Sequence, residues 1–142
     1  MKKLLALILA ATLLLGCAVT AQAADPRKAE AAAVLYDLGL FQGTGTNADG
    51  TPDFSLDRAA KRAEGVTLLV RLLGIDEETL KNASDAPFTD VPGWAKPYVN
   101  FAYENDLTKG ISADKLGAND AVTAAQYLTF VLRAMGYSFK PY

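Results

Sequence analysis

The chain has 142 residues, 51% hydrophobic and 21% charged, with a formal net charge of −2 at pH 7, a length that suits one domain of ordinary size. It contains no histidine and one cysteine, Cys17, which excludes a Ser-His-Asp triad, a Cys-His dyad, histidine-ligated zinc or iron, an intrachain disulfide and a Cys-x-x-Cys cluster. Mild acidity argues against non-specific nucleic-acid binding, which needs a basic face, so a binding or structural module remains, or an enzyme working with carboxylates alone.

The first 23 residues read as an address. Lys2 and Lys3 form a positive start, Leu4 to Leu15 is apolar apart from Thr12, and Ala21-Gln22-Ala23 supplies an A-x-A cleavage site. The apolar run is short of the roughly 20 residues a membrane-spanning helix needs. A second processing route competes: Leu14-Leu15-Gly16-Cys17 resembles a lipobox, in which Cys17 is lipidated and becomes the new N-terminus. The polar stretch before the A-x-A site favours soluble export. Loss of the leader with its two lysines leaves a mature net charge of −4.

After the leader the chain repeats itself. Residues 61–74 align with 123–136, with Ala63/Ala125, Thr67/Thr129, Arg71/Arg133 and Gly74/Gly136 identical at one offset. Upstream, 34–43 matches 101–110, including Tyr36/Tyr103 and Gly43/Gly110; the larger offset there places an insertion in the first copy's loop. The boundaries expected are 1–23 signal peptide, 24–75 first motif, 76–86 linker and 87–142 second motif.

The helices can be placed in order. Asp25 caps a helix with Pro26 at its first position and Gly39 at its end; Ala31, Val34, Leu35 and Leu38 give its apolar stripe. The loop from Gly43 to Pro52 brushes against a calcium-binding pattern at Asn47-x-Asp49-Gly50 but reads as turn-formers. Ile75 to Asp85 reads as a linker with a helical turn at Glu77 to Leu80. A helix starting near Trp94 tolerates Pro97 in its first turn and presents Trp94, Tyr98, Phe101 and Ala102. Thr123-Ala124-Ala125-Gln126 forms a capping box for the last helix. No segment alternates convincingly as a strand. The fold class expected is all-α, with tandem helix–loop–helix repeats packed as a helical bundle.

Phe88-Thr89-Asp90-Val91-Pro92-Gly93-Trp94-Ala95, Tyr98-Val99, Leu107-Thr108-Lys109-Gly110 and Val122-Thr123-Ala124-Ala125-Gln126 follow the order of an S-layer homology (SLH) motif, which this segment resembles. The first copy carries the motif's signature better, as Lys61-Arg62-Ala63-Glu64, but lacks the Phe-x-Asp and Trp-Ala opening. The resemblance implies an exported, non-catalytic module associated with the bacterial cell wall. Its partner would be an anionic, often pyruvylated, secondary cell-wall polysaccharide, with no cofactor, metal or nucleic acid. Motifs of this kind usually come three to a bundle. A pyruvate ketal carries a carboxylate that an arginine grips with two parallel hydrogen bonds, and an indole offers a flat apolar platform to a sugar face.

The resemblance maps ligand binding onto Arg62, Glu64, Asp90 and Trp94; Lys61, which departs from the family's threonine cap, joins them as a second cation for the site. Each has a plainer reading beside it. Glu64 closes a helix cap and Trp94 serves equally as core, whereas Arg62 has the weakest structural explanation. In the second copy Ala124 and Gln126 replace the arginine and glutamate, so one groove at most is expected, built from Arg62 with Asp90 or Trp94. Arg71 and Arg133 fall late in their helices, where the dipole explains them. A second class of function is a degenerate SLH pair acting as an assembly element, associating with itself or with another SLH protein; a membrane enters only through a lipidated Cys17. Glycosidase chemistry would need paired carboxylates, and candidates such as Asp49 with Asp53 or Asp85 with Asp90 sit in turns.

Overall fold

A computed structural model describes residues 25–137; the leader with Cys17, and residues 138–142, lie outside them. The described residues hold five α-helices and one small hairpin, in two compact units that divide between Ala59 and Ala60. The dominant helical character agrees with the sequence. None of the described helices is long and apolar enough to cross a membrane.

The first unit begins with α1 (Pro26–Asp37), whose N-cap Asp25 accepts from the Arg27 N–H. The helix stops where Gly39 turns left-handed, and the Leu40 and Phe41 N–H groups fold back onto the Leu35 carbonyl at 2.9 and 3.1 Å. That return changes the buried face. Ala32 and Leu35 are enclosed, while Val34 and Leu38 of the expected stripe are half or more exposed. Phe54 stacks on Phe41 and meets Tyr36 edge-on.

The expectation of no strand fails in the loop that follows. β1 (Gly45–Thr46) pairs antiparallel with β2 (Pro52–Asp53), Gly45 opposite Asp53. Asn47 and Asp49 serve the connecting turn: the Asn47 N–H donates to the Thr51 carbonyl, and the Asp49 carboxylate accepts from the Thr51 N–H and hydroxyl. Two-residue strands leave too little sequence for alternation to register.

The second unit contains α2 (Arg62–Leu72), α3 (Glu77–Asn82), a 3-10 turn at Gly93–Ala95 that runs into α4 (Lys96–Glu104), and α5 (Ala124–Ala134). α2 is its centre, packed against α4, α5 and the 3-10 turn. Val66, Leu69, Val70, Val99, Ala102, Leu116, Tyr127 and Val131 make the core around it. The expected linker is more structured than its charges suggested: Asp76 caps α3 through the Thr79 N–H and hydroxyl, Leu80 is buried, and α3 packs on α4. Across the 3-10 turn and α4 the buried face is Ala95, Val99 and Ala102, one position round from the stripe expected.

The repeat is visible in backbone conformation. Gly43 and Gly110, aligned by sequence, both have positive φ, and an added Cβ would stand 2.5 Å from a carbonyl oxygen in each, that of Asp53 and of Lys115. Only glycine fits that close approach in either copy. The capping box of α5 is also present, Thr123 accepting from the Gln126 N–H at 3.2 Å and Gln126 accepting from the Thr123 N–H at 3.0 Å.

Tyr127 is 1% exposed and its hydroxyl has no partner among the described residues; burial pushes its pKa up, so it stays a neutral phenol. A buried unsatisfied hydroxyl costs about 1–3 kcal/mol. Tyr127→Phe is therefore expected to hold or raise the urea midpoint, whereas Tyr127→Ala should lower stability by about 3–5 kcal/mol through the cavity. Loss of stability in Tyr127→Phe would mean that the hydroxyl has a partner.

Candidate functional site

The start of α2 is built by a loop that comes nearly sixty residues later. Normally the first amides of a helix lack acceptors. Here the Arg62 N–H donates to the Asp120 carbonyl at 2.8 Å and the Ala63 N–H to the Ala118 carbonyl at 3.1 Å. The Val122 N–H returns a bond to the Ala60 carbonyl at 2.9 Å, and Lys61 forms an isolated antiparallel bridge with Ala121. The Glu64 carboxylate accepts from the Lys61 N–H at 2.8 Å, which is half of a capping box. Lysine cannot supply the other half, because its side chain has no acceptor. The Lys61 ammonium reaches the Asn119 amide oxygen at 3.1 Å and is otherwise exposed.

Asp90 holds that loop from its other side. Its carboxylate accepts from the backbone N–H groups of Leu116, Gly117 and Ala118 at 2.8, 2.9 and 2.9 Å. Partial burial pushes the carboxyl upward, but the Ala118, Leu116 and Gly117 amides outweigh it and hold the pKa below the ordinary aspartate value. The residue that the family pattern offered as a ligand group is thus committed to the backbone. Thr89, beside it, ties down the preceding segment through the Asp114 carbonyl and the Lys115 ammonium.

Arg62 occupies the first position of α2, 7% exposed, with its Nε enclosed and lacking an acceptor. No described residue supplies it with a counter-ion. Enclosing a guanidinium without one is costly. Trp94 lies on the 3-10 turn that packs against α2 and is 54% exposed, so its ring is largely open to solvent rather than buried in the core. Arg71, nine residues along α2 from Arg62, is engaged: its guanidinium lies 5.0 Å from the Tyr98 ring centroid and donates to the Tyr98 hydroxyl from Nε and Nη2 at 3.3 Å.

The five residues marked from sequence therefore separate by geometry. Lys61 and Glu64 are joined in one helix cap. Asp90 connects to Arg62 through the 116–120 loop. Trp94 stands on a neighbouring element, and Arg62 alone among the five is a buried group lacking a partner. Sequence reasoning missed the 116–122 loop as the cap of α2. Its signal was the Gly117 to Asp120 turn following the Phe-x-Asp opening, but pairing across that distance leaves no periodicity to read.

The Asp90 cluster generates a stability test. A charge-assisted hydrogen bond contributes about 1.5–3 kcal/mol, and Asp90→Asn, which keeps the shape without the charge, is expected to cost about 2 kcal/mol at pH 7. With its folded pKa below the unfolded value of about 3.9, the Asp90 contribution is complete above that value and is lost as pH falls through the folded pKa. Urea denaturation should show the gap between wild type and Asp90→Asn closing in acid. A gap independent of pH would contradict the assignment.

Residues 87–128 match the family model described as S-layer homology domain. The chain is 38% identical over 117 residues to a cell surface protein of Thermoanaerobacter kivui, covering 80% of this chain and 15% of that protein. It is 32% identical over 105 residues to a surface layer protein of Brevibacillus choshinensis, covering 72% of this chain and 9% of the other. A middle cell wall protein of Brevibacillus brevis is 30% identical over 105 residues, with 72% of this chain and 10% of that one covered. The chain thus spans a small fraction of the length of these relatives. No solved structure matches it significantly.

Proposed function

The chain is an S-layer homology domain protein, and we propose that it is an exported, non-catalytic module of the bacterial cell surface that associates with the wall by binding an anionic, pyruvylated secondary polysaccharide through Arg62. The observation that carries this reading is the enclosed guanidinium without a counter-ion. Such a group destabilises the fold unless something outside the chain completes it. A sugar carboxylate has the right charge, and guanidinium and carboxylate match as two parallel hydrogen bonds. The Arg62 and Ala63 amides cannot do this work, because the carbonyls of Asp120 and Ala118 already occupy them. Trp94 offers a solvent-open ring to a sugar face, and Lys61, held by Asn119, adds an exposed cation at the same helix end. Asp90 and Glu64 act indirectly, by fixing the loop and the cap.

The location rests on two further supports: the leader read in residues 1–23, and relatives described as cell surface, surface layer and middle cell wall proteins. Signal cleavage at or one residue beyond the A-x-A site should give an intact mass beginning at Ala24 or Asp25. A diacylglycerol adduct on Cys17 would replace that route and place the protein on the membrane.

Binding is tested by co-sedimentation with wall sacculi before and after acid removal of the secondary polymer. Arg62→Ala should weaken it about tenfold or more, since a charge-assisted bond to a carboxylate contributes about 1.5–3 kcal/mol. Arg62→Lys should lose much of it, because an ammonium cannot reproduce the fork. Arg62→Met should do the same while keeping or raising the melting temperature, which separates a ligand role from a structural one. Arg71→Ala, engaged with Tyr98, is the control. Equal losses at both positions would indicate diffuse attraction, and no loss at either would overturn the reading.

A further inference from the structure

The two copies begin their matching helices differently. In copy two the N-cap Thr123 accepts from the Gln126 N–H, and the exposed Ala124 follows it. In copy one the same two positions hold Lys61 and Arg62. A lysine at the N-cap gives up the side-chain acceptor, and both cations face the positive end of the helix dipole. The copy that carries the arginine also carries the lysine, and the copy that lacks one lacks the other.

Neither charge is answered by the fold. Among the described residues Lys61 and Arg62 form no ion pair. The Glu64 carboxylate meets the backbone N–H of Lys61 rather than its ammonium. That ammonium donates instead to the Asn119 amide oxygen at 3.1 Å, a neutral acceptor in the loop that closes the helix start. A neutral partner orients a cation and leaves its charge available, where a carboxylate would neutralise it. At the adjoining position the Arg62 Nε is enclosed and lacks an acceptor. The amides of Arg62 and Ala63 are already taken, so an anion arriving here meets side chains rather than those N–H groups.

We propose that the site takes two negative charges, one on the Arg62 guanidinium and one on the Lys61 ammonium, with Asn119 as the residue that positions the ammonium. This rests on the reading of Arg62 as the partner of a sugar carboxylate and adds a ligand class to it. The ligand is a wall glycan in which the terminal carboxylated sugar, or the sugar next to it, bears a second anionic group. A phosphate ester and a uronate carboxylate both supply that chemistry, because an ammonium binds as a point charge without the planar match an arginine demands.

Calorimetric titration of the exported protein with three synthetic glycans tests this. The first is a disaccharide ending in a pyruvyl-ketal sugar; the second adds a phosphate ester to its other sugar, and the third has a uronate there. A doubly charged glycan should bind about fivefold more tightly than the singly charged one at low salt, and the one that does so identifies the second charge. Lys61→Thr should remove that advantage while holding the singly charged glycan within about twofold. The same variant should raise the melting temperature by about 3–6 °C through the restored cap, so that binding and stability move in opposite directions. Asn119→Asp, which pairs the ammonium internally, should also remove the advantage in a protein that stays folded. Lys81→Thr deletes an exposed lysine on α3 and should preserve it. Equal affinity for all three glycans, in a protein whose binding still requires Arg62, would overturn the two-charge site and leave the carboxylate reading intact. So would an advantage that survives Lys61→Thr. Binding of none of the three would overturn both.

Discussion

The geometry at the start of α2 depends on one carboxylate. Asp90 gathers three consecutive amides, those of Leu116, Gly117 and Ala118, and so turns the carbonyls of Ala118 and Asp120 toward the Arg62 and Ala63 amides. A bent loop of this kind would otherwise leave several backbone groups without partners. Two deficits are met at once: a helix start without acceptors and a loop turn without a counter-charge. Arg62 is set at the edge of that arrangement, with its backbone satisfied and its side chain not.

That contrast bears on what the arginine is for. Folding alone would be served better by an apolar residue of similar volume, since an enclosed ion without a partner is a net cost. Copy two offers the comparison within one chain, because Ala124 takes the equivalent place and lies exposed. The same helix architecture therefore forms without an arginine there. At Arg62 the backbone is held by the scaffold and the side chain is not, whereas at Asp90 and Glu64 the side chains themselves hold backbone amides.

Much of the fold was legible because its punctuation is local. Asp25-Pro26, Thr123 with Gln126, and Gly39 each act within a few residues, and all appear where the sequence placed them. The duplication was legible for the same reason, as order and spacing. Facing was harder. In α1 and α4 the apolar residues outnumber the positions a short helix can bury, so neighbours decided between Val34 and Ala32, or between Trp94 and Ala95. Leu80 likewise hid in a charged stretch until α4 supplied its partner. At the site, Arg62 and Trp94 were marked by pattern. The commitment of Asp90 to the backbone was not, because an aspartate reads the same whether its acceptors meet a ligand or a distant amide.

The pairing of residues 60–63 with 118–122 also sets an order of events. As a chain emerges from its N-terminus, α2 is complete in sequence at Leu72, yet the carbonyls that close its first turn arrive only with Ala118 and Asp120. Contacts of such separation raise the entropy that must be lost before they form. Until those residues have appeared, the central helix of the second unit has an open end and much of its apolar surface lacks cover. The second unit is therefore closed from its C-terminal side: the first turn of its central helix cannot be satisfied until residue 120 has followed it through the membrane it is exported across.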